Sequence, residues 1–217
     1  MAPSPGSIAR YLARSDPVLA GIIRRVGLHE PPVRPSGFAA LARAIVYQQI
    51  SGAAGASILR KVRRAAGTRA VPPPRWFLTS TDTTLRSAGL SPQKIRYLRD
   101  LAVHVLDRRI DFHRFPRMTD AEITEHLSAV QGIGRWTAQM FLLFSLGRPD
   151  VLPTGDLGVR RAVQRSYGYR GLPAESTVQR IGRPWAPWRS HATYYLWRSL
   201  ENIEPAIAAS RAGRGRP

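Results

Sequence analysis

The stretch Gln131-Gly132-Ile133-Gly134-Arg135-Trp136 decides how this chain is read. Upstream, Thr119-Asp120-Ala121-Glu122 sets a Thr three residues before a Glu, the capping-box pattern that opens a helix. The pattern predicts a helix over 122–130, a Gly-Ile-Gly turn, and a second helix over 135–146. That second helix is apolar almost all round (Trp136, Ala138, Met140, Phe141, Leu142), which predicts a central buried helix. Two glycines permit positive φ and close approach of another backbone. The amides after Gly132-Ile133-Gly134 point along the start of the second helix and form an anion site that the helix dipole strengthens. A DNA phosphate suits such a grip, which ignores base sequence. An ordinary αα-hairpin with a glycine cap is the default reading of the turn alone. The charge balance and Arg135 narrow that gap.

Outward from the hairpin the pattern stays helical and no strand-type alternation appears, so the chain reads as all-α. Residues 7–30 read as helical, with Ser15-Asp16-Pro17 as a cap followed by a first-turn proline. Ser36 is expected to cap a long helical stretch carrying Phe38, Leu41, Ile45, Ile58 and Val62. Gly52 and Gly55 lie inside it, which implies either the close approach of another backbone or a break in the helix. Gln48 and Gln49 are either a pair of exposed or satisfied amides or a polar tip that reaches into DNA. Short helices follow near 76–78 and 82–88, and Ser91-Pro92 opens another. On that helix Lys94, Arg96 and Arg99 lie off the apolar face, placed for phosphates or simply for solvent. Asp156 starts a helix that runs to Tyr167, residues 174–182 form a short one, and a last aromatic helix follows Trp185-Ala186-Pro187-Trp188-Arg189-Ser190.

Composition narrows the function classes. The net charge of +19 points to a polyanionic partner, nucleic acid before an acidic membrane surface. A bias toward arginine explains why Lys61 and Lys94 are the only lysines, but not the shortage of acids. With no cysteine there is no disulfide, thiolate nucleophile or iron–sulfur cluster. The histidines never fall at the i, i+4 spacing of a helical metal pair. No apolar run is long enough to span a membrane, and Met1–Gly6 lacks an apolar signal core, so a cytoplasmic protein is expected.

Asp156 has two readings. It is a common N-cap residue. The same geometry favours its ionised form and would let it stabilise an oxocarbenium-like transition state and orient water. Trp136, Trp188, Trp197, Tyr194 and Tyr195 flank it in sequence. Core packing is their default, yet an indole in the first turn after the hairpin would also stack an extruded, cationic base.

Two segments carry a resemblance to a known family. Leu127-x-x-Val130-x-Gly132-Ile133-Gly134-Arg135-Trp136-Thr137-Ala138, followed by Leu152-Pro153-x-x-Asp156-Leu157-Gly158, resembles the helix-hairpin-helix (HhH-GPD) DNA glycosylases, most closely the DNA-3-methyladenine glycosylase II type. Gln48-Gln49-Ile50-Ser51, Gly89-Leu90-Ser91-x-x-Lys94-x-x-Tyr97-Leu98 and Trp185-x-Pro187-Trp188-Arg189-Ser190 extend the match over roughly residues 36–200. The resemblance implies a two-lobed all-α fold over residues 1–208 with the active site in the inter-lobe cleft. The N- and C-terminal helices form one lobe and the middle helices, with the hairpin of 122–146, the other. Residues 209–217 are expected to be a disordered basic tail. The resemblance makes Asp156 the catalytic aspartate and Trp136, Met140 and Trp197 the base pocket. Gln48, Gln49, Gly132, Ile133, Gly134 and Arg135 would contact DNA, with Gln49 as the wedge that fills the gap left by the flipped nucleotide. It implies no side-chain metal site and no cofactor beyond a structural Na+ or K+ at the carbonyls of Ser128, Val130 and Ile133.

The implied activity is monofunctional hydrolysis of the N-glycosidic bond of alkylated bases such as 3-methyladenine and 7-methylguanine. The implied partner is damaged double-stranded DNA, met by a monomer at a bacterial nucleoid. Several positions depart from the family pattern. Met140 stands where an aromatic wall is common, Gln49 replaces an aliphatic wedge, and Gly155 replaces a second acid. With roughly 35 residues before the first motif, the β-rich N-terminal domain of the inducible bacterial enzyme is expected to be absent or vestigial. Trp136 stands where strand-cleaving relatives carry a Schiff-base lysine, and no lysine is expected near it. A positively charged base is already a good leaving group, so an ionised carboxylate and a flat aromatic pocket suffice. The same logic admits 1-methyladenine and 3-methylcytosine. The rival readings are a non-catalytic hairpin DNA-binding protein and a glycosylase for oxidised or mismatched bases.

Overall fold

The computed structural model of the chain describes residues 3–201. The expected basic tail lies outside the described residues. Among these there are twelve α-helices and no strand, which bears out the all-α reading. The chain divides into two compact units, Met1–Pro32 with Gly147–Pro217, and Val33–Leu146.

The first unit opens with α1 (Pro5–Ser15) and α2 (Pro17–Val26). Asp16 ends the one and caps the other, accepting from the amides of Val18 at 2.8 Å and Leu19 at 3.1 Å. Its second oxygen takes the Tyr167 hydroxyl at 2.6 Å and the Trp185 indole N–H at 2.9 Å. Four donors therefore satisfy a carboxylate that is buried. Burial and that carboxylate together push the Tyr167 hydroxyl pKa upward.

The second unit runs through α3 (Phe38–Tyr47), α4 (Gly52–Ala65), α5 (Pro74–Thr79), α6 (Asp82–Ser87), α7 (Pro92–Leu106), α8 (Asp120–Ser128) and α9 (Arg135–Phe144). The long stretch from Ser36 is two helices. Gly37, at φ 104°, takes the cap position in place of Ser36 and makes no side-chain cap bond. The chain turns at 48–51, and Ser51 caps α4 through the Ala54 amide at 3.2 Å. Gly55 does meet a close neighbour, but it is the Tyr47 ring, 2.7 Å from where a Cβ would stand. The α7 cations are not a phosphate-facing row. Arg99 donates to the carbonyls of Phe77 and Ser80 and pairs with Asp82 at 2.7 Å, and Lys94 also turns inward. Only Arg96 of the three is exposed.

The α9 helix is also less buried than its composition implies. Thr137, Ala138, Phe141, Leu142 and Leu143 face the core, where Phe141 meets Phe112 and Phe115. Trp136 is 51% exposed. An apolar helix of ten residues thus buries one face and leaves the Trp136 indole half-exposed and Met140 partly so.

The first unit resumes with α10 (Leu157–Ser166), α11 (Glu175–Ile181) and α12 (Arg189–Glu201). Leu12, Leu19, Ile22, Val159, Val163, Trp185, Tyr195 and Leu196 are in its core. The Arg189-Ser190 pair at the start of α12 staples the loop that leads to Asp156. Arg189 grips Asp150 with two bonds of 2.7 Å, and the Ser190 hydroxyl donates to the Arg148 carbonyl at 2.6 Å and accepts from the Val151 amide at 3.0 Å. The guanidinium holds the Asp150 carboxyl below its ordinary range.

Candidate active site

The capping box at the start of α8 forms as expected, with the Thr119 amide donating to Glu122 at 2.7 Å and the Glu122 amide to Thr119 at 3.2 Å. After α8 the turn needs glycine at one position. Gly132 has φ 82°, and a Cβ there would fall inside the Tyr97 ring. Gly134 is different: its φ is −89°, and a Cβ would meet nothing within 4 Å. It is the N-cap of α9, where no side-chain cap bond forms. The first turn of α9 thus presents main-chain amides over open space, the local geometry of an anion grip.

The turn is held from behind. The Gln48 amide donates to the Gly132 carbonyl at 2.7 Å, and the Gln131 amide donates to Asp100 at 2.8 Å. Gln48 is therefore half-buried and engaged with the protein, whereas Gln49 is exposed and at φ 57°. A non-glycine residue in the left-handed region is strained and turns its side chain outward from the α3–α4 turn. Beside the turn lies a cavity of about 570 Å³ whose lining includes Gln49, Lys94, Tyr97, Trp136 and Met140. The expectation that no lysine lies near Trp136 fails: α7 packs against α3 and brings Lys94 into the same cavity. Its amine donates to the Val46 carbonyl at 2.6 Å, and burial lowers its pKa.

Asp156 stands in the first unit as the N-cap of α10. One carboxylate oxygen, Oδ1, accepts from the Val159 amide at 2.7 Å and from the Trp197 indole N–H at 2.9 Å. The N-cap reading of this residue holds, and the cap bond orients the carboxylate. Trp197 thus helps to orient the carboxylate. Gly158 makes room for it, because a Cβ there would stand 3.0 Å from both the indole and Asp156.

The comparisons with known proteins bear on this geometry. The family model of the HhH-GPD superfamily base excision DNA repair proteins matches residues 42–187. The chain belongs to this superfamily. The Bacillus subtilis protein YfjP is 29% identical over 164 residues, which make up 73% of this chain and 57% of that one. The chain thus spans little more than half the length of that relative. The crystal structure of a DNA-3-methyladenine glycosidase from Bacillus halodurans superposes with a TM-score of 0.84 at 34% identity, covering 91% of each chain. The Schizosaccharomyces pombe 3-methyladenine DNA glycosylase Mag1, solved in complex with abasic DNA, superposes at 0.80 with 27% identity, covering 88% of this chain and 95% of that one.

Within this HhH-GPD chain, four contributors escape a reading of the sequence. Tyr97 packs on Gly132, and Gln93 donates to its hydroxyl at 2.6 Å. Lys94 braces the end of α3. Glu175 accepts from the Thr154 hydroxyl at 2.9 Å, and its carboxylate lies 3.2 Å from where a Cβ of Gly155 would stand. An acid is thus present beside position 155, supplied from α11. Tyr97 and Lys94 sit inside a quoted motif, which is a signal; Gln93 and Glu175 have none.

Proposed function

We propose that this chain is a monofunctional DNA glycosylase that hydrolyses the N-glycosidic bond of alkylated bases, of the 3-methyladenine and 7-methylguanine kind, in duplex DNA. The single observation that carries the reading is Asp156, a carboxylate whose Oδ1 is fixed by the Val159 amide and the Trp197 indole. The names of the Bacillus halodurans and Schizosaccharomyces pombe neighbours support the substrate class.

The chemistry follows from charge. N3- or N7-alkylation makes the base cationic, so the C1′–N bond breaks with both electrons going to the base, which leaves neutral. Positive charge then develops on the sugar. The Asp156 carboxylate stabilises it and orients a water, whose oxygen bonds to C1′ and whose proton passes to the carboxylate or to solvent. Trp136 and Met140 give the departing base an apolar, π-faced wall. Gly132, Ile133, Gly134 and Arg135 hold the backbone through the α9 terminus, and Gln49 is the exposed tip placed to enter the gap. The carbonyls of Ser128, Val130 and Ile133 are neutral oxygen donors of the kind that alkali cations accept. The Val130 carbonyl already takes the Ile133 amide at 3.0 Å, which leaves it one lone pair. A Na+ or K+ there would add positive charge beside the phosphate. The protein acts as a monomer on nucleoid DNA; no helix among the described residues is long and apolar enough to cross a membrane.

Methylated duplex DNA tests the reading. Wild type is expected to release methylated bases and leave abasic sites. Asp156→Asn retains the cap acceptor and the fold but should lose about 10³-fold in rate. DNA binding without release of any base would refute the proposal. Lys94 supplies the one amine beside Trp136 among the described residues, so cleavage of the strand without added alkali, abolished in Lys94→Met, would overturn monofunctionality.

A further inference from the structure

Ala44, Tyr47, Thr137 and Met140 line the hairpin cavity and also a second cavity of about 660 Å³ in the same unit. These four side chains, two from α3 and two from α9, are the partition between the two spaces. Ala44 is small, and Thr137 is buried. Tyr47 is fixed on two sides. The Arg43 guanidinium lies 4.8 Å from its ring centroid, and the ring rests on α4 at Gly55, too close for any side chain there. Met140 is partly exposed and unbranched, with three rotatable bonds, the most adaptable of the four. Beyond the partition the lining of the second cavity is mostly apolar, with Leu41, Val71, Phe141 and Phe144, and carries Arg34 and Arg43 as well.

We propose that Met140 is a movable partition, and that the pocket admits cationic purines whose alkyl or aralkyl substituent is larger than methyl. The tail of such a substituent lies past Met140, between α3 and α9, in the second cavity. The proposal rests on the glycosylase reading and names a substrate class for it. A methyl group needs no space beyond the hairpin cavity. A benzyl group does, and the second cavity gives it mostly apolar walls to lie against. A rigid aromatic residue at position 140 would close the passage.

The test compares duplexes that carry one 7-methylguanine or one 7-benzylguanine in single-turnover release assays. Wild type is expected to release both, with rates within about tenfold. Ala40→Phe fills the second cavity from α3 without touching the hairpin cavity. It should cut release of 7-benzylguanine by at least about tenfold and leave release of 7-methylguanine unchanged. Val71→Phe fills the same space from the α4–α5 loop and should act alike, which covers a failure of the first variant to fold. Release of 7-methylguanine alone by wild type, or a wild-type benzyl-to-methyl ratio in both variants, overturns the partition. No release of either base overturns the glycosylase reading and this proposal with it.

Discussion

Asp156 is held by side-chain and cap bonds, whereas the Gly132 turn is held through its main chain. In the first unit, several polar side chains are oriented by other side chains: Trp197 orients Asp156, Arg189 grips Asp150, Glu175 takes Thr154, and Tyr167 and Trp185 close on Asp16. In the second unit, several polar side chains reach for backbone instead. Gln48 holds the Gly132 carbonyl, Lys94 the Val46 carbonyl, Arg99 two carbonyls near α5, and Asp100 the Gln131 amide. A carboxylate that acts on a sugar must point one way. A helix terminus that grips a phosphate must be braced from behind while its amide face stays open. Substitutions in the first unit should therefore register in rate, and those in the hairpin in stability or DNA affinity.

The largest effect is expected at Gly132. An alanine there must adopt φ 82° and displace the Tyr97 ring. Left-handed strain and overpacking together cost about 2–4 kcal/mol, so thermal melting should fall by about 5–10 °C. Gly134→Ala is the control two residues on. Its φ of −89° suits any residue and its Cβ meets nothing, so only the poorer cap residue counts, at about 1 kcal/mol or less. Its DNA affinity should nevertheless drop, because a methyl group would stand where the phosphate approaches. Equal melting temperatures for the two variants would break the contrast between a packed and an open glycine.

Next in size is Trp197→Phe, which keeps most of the ring but removes the N–H bonded to Asp156 at 2.9 Å. The indole donor to Oδ1 is lost while the Val159 cap bond stays, so the carboxylate is oriented less tightly. The expected result is a fall in kcat of about tenfold, equivalent to about 1.4 kcal/mol, with KM and DNA affinity nearly unchanged. A raised KM with normal kcat would instead make Trp197 a binding wall and would move it to the other side of the comparison.

What the sequence disclosed divides along similar physical lines. The capping box, the hairpin turn and the Asp156 cap rest on relations between residues three or four apart, and these are readable from spacing alone. Lys94 was misread because its partner, Val46, lies 48 positions away. Position 94 falls off the apolar face of α7, and nothing local says that α3 covers it. Trp185 bonds to Asp16 across 169 positions, and Glu175 reaches Thr154 across 21. Gly37 shows the local limit. Ser36 is the better cap by residue type, but the positive φ that the chain needs one residue later moves the helix start to a glycine. The half-exposed α9 is the most instructive miss. Apolar composition all round implies burial, whereas the helix buries one face and leaves Trp136 51% exposed beside the hairpin cavity.

His191 departs from the rule that side-chain groups of the first unit find partners. Both ring nitrogens are buried without a hydrogen bond, beside the edge of Trp188 at 5.9 Å. Burial pushes its pKa below the ordinary 6.5, and the Glu30 charge opposes that only in part. Above pH 6.5 the imidazole is neutral in both the folded and unfolded chain, so its titration contributes nothing. As pH falls through 6.5 the unfolded chain takes up the proton first, and stability drops until the folded pKa is reached. The Asp150–Arg189 pair does not confuse this window. Its folded carboxyl lies below 3.8, so its contribution is lost only in stronger acid. The melting temperature of wild type should therefore decline between pH 7 and pH 5 more steeply than that of His191→Phe, which cannot titrate. The difference should be small, because the imidazole is only partly buried as a residue. Parallel curves for the two proteins would mean that the protonated ring is accommodated without cost, and His191 would then rejoin the partnered side chains around it.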